Sequence, residues 1–184
     1  MCDACPAPDG QTLVLGLGNP LRGDDGIGGF VLGFLRGLGN LPDSVRLCPA
    51  EDGDVLGPLM AEPWTRIIVI DAADLGQPPG TWMRLGPTAL AVARLHGSSH
   101  RMGLVEALGM AEALGRNPDR LAIFAVQPES TEWRTGLSEA VVLALPGLVN
   151  AVLWELNAPV RAGGRTIGTM PHEQATRVPD EQRA

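Results

Sequence analysis

The chain has 184 residues, 45% of them apolar and 19% charged, which is the composition of one globular domain able to bury a sizeable core. All 14 basic residues are Arg against 21 acidic ones, and the net charge of −7 argues against a nucleic-acid backbone as partner. No run of about 18 apolar residues occurs, so no membrane span is expected. The start Met1-Cys2-Asp3-Ala4-Cys5 has neither the basic nor the apolar stretch of a secretory signal, so a cytoplasmic protein is expected, and separately a monomer.

Leu13–Leu17 is apolar and reads as a first strand. It runs into the loop Gly18-Asn19-Pro20-Leu21-Arg22-Gly23-Asp24-Asp25, glycine-rich in the manner of a phosphate cradle but carrying two carboxylates, which repel phosphate and attract cations. Gly26–Leu38 is expected to be helical, with Ile27, Phe30, Val31, Phe34, Leu35 and Leu38 on one buried face. Asp24 or Asp25 would cap its start, the tandem pair allowing one acid to cap and the other to face a cleft; Gly39-Asn40 would stop it. Val45–Cys48 reads as a short strand and Val55–Ala61 as a short helix.

Arg66-Ile67-Ile68-Val69-Ile70-Asp71 carries the clearest strand signal, and its unbroken apolar run implies burial on both faces, as in the middle of a parallel sheet. Thr81–Leu85 follows after a short Gln77-Pro78-Pro79-Gly80 turn and should run antiparallel to it. Ser98 or Ser99 would cap a helix over Arg101–Gly115, with Leu104, Leu108, Ala111 and Leu114 inward. Leu121–Val126 is the last strand and Ser138–Leu156 the last helix, Pro146 either kinking it or opening its main segment.

Strands alternating with helices predict an α/β fold: a three-layer helix–sheet–helix sandwich around a mostly parallel five-stranded sheet with one antiparallel strand. One domain is expected over residues 11–157, between an N-terminal tail (residues 1–10) and a C-terminal tail (residues 158–184) without periodicity, expected to be disordered. Three cysteines do not suggest a disulfide framework. Cys2 and Cys5 form a lone C-x-x-C read as incidental, with a redox or accessory metal role as the lesser reading, and Cys48 is assigned to the core.

Sheets of this kind place their sites at the carboxyl ends of the strands. Asp25 after the first strand, Asp71 at the end of the most apolar one and His100 at a helix start then fall on the same edge. Two carboxylates and an imidazole suit a borderline divalent metal such as zinc or nickel and leave coordination positions open. Each residue alone has a structural explanation, as a cap or a helix-start residue; their convergence gives them weight. His96 and His172 are weaker candidates. No H-E-x-x-H, G-x-S-x-G or G-x-x-x-x-G-K motif is present, and Leu21 stands where a dinucleotide fingerprint places its third glycine.

Gly16–Gly28 resembles the opening signature of the hydrogenase maturation proteases, Ile67–Ala72 their central strand ending in Asp-Ala, and Ser99-His100-x-x-Gly103-Leu104 their histidine segment. Val126-Gln127-Pro128-Glu129 also resembles the family ahead of the final helix. The resemblance implies an endopeptidase that removes the C-terminal extension of a nickel–iron hydrogenase large-subunit precursor after nickel insertion. Asp25, Asp71 and His100 match the family's metal-binding residues, and the nickel would arrive in the precursor. Zinc or cadmium could take its place in the isolated protein. Some members of the family have Glu where this chain has Asp25. The alternatives are a non-enzymatic nickel-delivery module using the same residues, and a peptidyl-tRNA hydrolase-like esterase. The latter also opens Gly-Leu-Gly-Asn-Pro, but continues with a Thr-Arg-His-Asn segment where this chain has Arg22-Gly23-Asp24-Asp25.

Overall fold

A computed structural model describes residues 11–51, 54–86, 99–116, 118 and 120–157. Both tails, Cys2, Cys5, His96, His172 and Ser98 lie outside the described residues. Five strands form one sheet: β1 (Thr12–Leu17), β2 (Val45–Ala50), β3 (Arg66–Ala72), β4 (Trp82–Leu85) and β5 (Arg120–Val126), in the order β2-β1-β3-β5-β4. The first four in that order run parallel, and β4 is antiparallel to β5. The direction expected for β4 is observed, but β5 is inserted between it and β3. The sandwich is therefore as expected, with the short turn after β3 crossing over the place that β5 fills.

Helices α1 (Ile27–Gly37) and α4 (Glu139–Asn157) cover one face, over Val14, Ile68, Ile70, Phe124 and Val126. Helices α2 (Leu56–Ala61) and α3 (Ser99–Ala113) cover the other, over Leu13, Leu15, Leu17, Val69 and Ile123. Strand alternation sends successive residues to opposite faces, so β1 and β3 are apolar throughout because both faces are covered. Cys48 is buried in the second core.

Two helices differ from expectation in the side they bury. In α1 the inward residues are Ile27, Gly28, Val31, Leu32 and Leu35, whereas Phe30, Phe34 and Leu38 are exposed. Ile27, Val31 and Leu35 belong to both possible stripes, and the close approach of Gly28 to β1 selects the one containing Leu32. A Cβ on Gly28 would lie 2.4 Å from the Leu17 carbonyl oxygen, and one on Gly16 2.6 Å from that of Gly28. In α3 Leu104, Ala107 and Ala111 are buried, Leu108 is half-buried, and Leu114 is exposed beyond the helix end.

Helix α4 has 19 residues and a mean hydropathy of 1.5, enough by length and composition to cross a membrane. One side of it packs on the sheet through Val141, Leu148, Val149 and Val152, with Glu155 buried near its end, while Val142, Leu143 and Trp154 are exposed. Pro146 lies within it and deprives the Val142 carbonyl of its helical donor. Both residues are exposed, so water can serve that carbonyl.

At the amino edge of the sheet Arg84 and Arg120 donate to the Glu155 carboxylate, Arg84 Nε at 2.7 Å, and the Arg66 guanidinium donates to the Leu156 carbonyl. Burial alone would raise the Glu155 pKa, but the hydrogen bonds and charges of the two arginines hold it below the usual carboxylate value. The cluster fastens the end of α4 to three strands.

Candidate active site at the carboxyl edge

The chain passes from β1 to β2 on one side and returns to β3 on the other, so the connections diverge between β1 and β3. Such a switch point leaves a crevice beyond the strand carboxyl ends. Asp25 and Asp71 belong to the two elements that flank it.

After β1 the backbone turns at Gly18 (φ 108°), where a Cβ would come 1.8 Å from the Asp25 carbonyl oxygen. Only glycine lets the strand end and the following 3-10 turn (Gly23–Gly26) pack this closely. Asp25 is buried in that turn and its Oδ2 accepts the Asn19 N–H at 2.8 Å, while Asn19 Oδ1 accepts the Leu21 N–H at 2.8 Å. Where a phosphate loop gives its N–H groups to a ligand, this loop gives one to its own carboxylate.

Asp71 is the sixth residue of β3 and is also buried. By alternation it shares the face of Ile67 and Val69, the face covered by α2 and α3. β3 contacts the 3-10 turn that carries Asp25. His100 is the second residue of α3, and its side chain lies outside the described residues. Because α3 leads into parallel strand β5, its first turn belongs to the carboxyl edge and to the same face as Asp71. Among the described residues no three His, Cys, Asp or Glu side chains group to hold a metal, and the His100 imidazole is not among the side chains described.

Asp24 does not cap α1, as the pair of acids suggested it would; neither α1 nor the turn before it has a side-chain cap. Only 1% exposed, it reaches instead to the segment between β5 and α4. Its Oδ1 accepts the Ser138 N–H at 2.6 Å, and its Oδ2 accepts the Ser138 hydroxyl at 2.8 Å and the Glu129 and Ser130 N–H groups at 2.8 and 3.3 Å. Ser138 in turn caps α4, its Oγ accepting the Val141 N–H. Burial would raise the Asp24 pKa, but these donors outweigh it and hold the carboxyl below its ordinary value.

Gln127 ties a third loop to the same edge. Its Oε1 accepts the Leu75 N–H at 2.6 Å and the Gln77 N–H at 3.3 Å. The loops after β1, β3 and β5 are thus joined by two side chains, Asp24 and Gln127, neither of which was a sequence candidate for this role. A groove of about 830 Å³ borders β2 near Leu41, Arg46, Cys48 and Trp64, and none of Asp25, Asp71 or His100 lines it.

The model of the hydrogenase maturation protease family matches residues 52–155, more than half of the chain and a span containing Asp71 and His100. The chain belongs to the hydrogenase maturation protease family. It is 31% identical over 170 residues to the hydrogenase 2 maturation protease of Escherichia coli, covering 89% of this chain and 97% of that one. To the hydrogenase expression/formation protein HupD of Rhizobium leguminosarum it is 28% identical over 175 residues, covering 88% and 84%. The solved structure of the hydrogenase maturating endopeptidase HybD from Escherichia coli superposes with a TM-score of 0.72 at 29% identity, covering 79% of this chain and 91% of that one. Membership in the maturation protease family implies peptidase activity.

Proposed function

We propose that this maturation protease removes the C-terminal extension of a nickel–iron hydrogenase large-subunit precursor once nickel has been inserted, with Asp25, Asp71 and His100 engaging the nickel. The observation that carries the reading is the burial of two carboxylates, Asp25 and Asp71, on the elements flanking one switch point. Both acids stand at the carboxyl edge of the sheet, where sites of such folds lie, and two carboxylates there can serve as oxygen donors to a cation. Oxygen donors with one imidazole fit a borderline divalent ion and leave positions for the ligands that the precursor supplies.

The nickel would belong to the substrate, where it would either polarise a nearby carbonyl as a Lewis acid or anchor the substrate only. The protein's part is positional. The Asn19 N–H fixes the Asp25 carboxylate, the sheet fixes Asp71, and docking places the scissile bond against this edge. A precursor without nickel would find two carboxylates and no cation between them, which makes metal loading the signal for cleavage.

Co-expression with the precursor tests the assignment. Wild type should convert it to the faster-migrating mature form, while Asp25→Asn, Asp71→Asn and His100→Ala should each lower processing at least about 100-fold. Normal processing by one of the three variants removes that residue from the site.

A further inference from the structure

The segment between β5 and α4 is joined to the Asp25 turn by backbone as well as by Asp24. Arg22 and Arg134 form a parallel β-bridge, the Arg134 N–H donates to the Leu21 carbonyl at 2.9 Å, and the Gly23 N–H donates to the Arg134 carbonyl at 2.8 Å. The Asp24 N–H bonds the Ser130 carbonyl at 3.1 Å, and Arg22 Nε bonds the Thr131 carbonyl at 3.1 Å. On this fixed frame Trp133 is 75% exposed and Leu21 53% exposed. Trp133 directly precedes the bridged Arg134, and Leu21 directly precedes its partner Arg22.

We propose that Trp133 and Leu21 form an apolar anchor on which the large-subunit precursor docks beside the cleavage site. The inference rests on the function proposed above and names the surface by which the substrate is held. Leu21 lies in the same loop after β1, four residues before Asp25, so a protein bound at Asp25 would meet that loop. Tryptophan is the side chain most often found to dominate a protein interface, since it buries a large area while fixing only two torsions. The hydrogen-bonded frame has already lost its freedom, so docking adds little ordering cost there. The other exposed rings stand elsewhere than on the bridged pair, Phe30 and Phe34 on α1 and Trp154 on α4.

The experiment measures initial rates of shortening of the nickel-loaded precursor against its concentration, and binding of the same precursor by calorimetry. Wild type, Trp133→Ala, Leu21→Ala and, for comparison, Trp154→Ala are used. Trp133→Ala is expected to raise KM and the dissociation constant at least about tenfold, with kcat within about twofold and an unchanged thermal midpoint. Leu21→Ala should act in the same direction, and Trp154→Ala should match wild type. An unchanged KM in Trp133→Ala, a loss confined to kcat, or an equal effect of Trp154→Ala overturns the anchor. In those cases wild type still shortens the precursor, so the proposed function stands. A wild-type protein that neither binds nor shortens the precursor overturns both.

Discussion

Adjacent carboxylates in this protein have opposite tasks. Asp25 turns to the Asn19 N–H of its own loop, whereas Asp24 gathers four donors from a segment more than 100 residues away. An amide in place of Asp24 would set an NH2 group against backbone N–H donors and remove the charge that strengthens their bonds. Asp24→Asn should therefore lower unfolding free energy by about 3 kcal/mol, read from urea denaturation, with the far-ultraviolet spectrum retained. The position of Asp25 and Asp71 at the carboxyl edge was legible in the sequence because each ends or follows an apolar strand. The task of Asp24 was not, because Glu129, Ser130 and Ser138 are distant in the chain and none is an unusual residue. Its position before an apolar helix suggested a cap instead.

At the scale of elements, the contact between β1 and α1 determines which side of the helix is buried. Gly16 and Gly28 let the two backbones touch, and a methyl group on Gly28 would meet Leu17 backbone atoms at 2.4 and 2.5 Å. Gly28→Ala should thus destabilise by about 3 kcal/mol. The neighbouring Gly29 has nothing within 4 Å of a built Cβ, so Gly29→Ala should stabilise by about 0.5–1 kcal/mol through helix propensity. Denaturation midpoints moving in opposite directions for two consecutive glycines would establish the contact. The sequence pattern located α1 to within a residue or two but not its rotation, since two apolar stripes share Ile27, Val31 and Leu35. It also gave the direction of β4 but not its neighbour, because the insertion of β5 depends on long-range pairing that no local signal records.

Across the whole molecule, the two edges of the sheet carry different chemistry: carboxylates at the strand carboxyl ends, and arginines around Glu155 at the other. Asp24 and Glu155 both have folded pKa values below their ordinary 3.8 and 4.5. Their contribution to stability is complete above those ordinary values and is lost as the pH falls through the lower folded ones. Unfolding free energy should thus be level in this respect above about pH 5 and decline below about pH 4. Glu155→Gln should be less stable at neutral pH and show a shallower acid decline, both measurable by urea titration at a series of pH values. The same stitching by Asp24 and Gln127 has a consequence for the encounter with a protein substrate. Loops closed on one another in the unbound state have little slack with which to wrap a peptide. As far as these three loops are concerned, the enzyme is the mould, and the protein substrate is the part that must bend to fit.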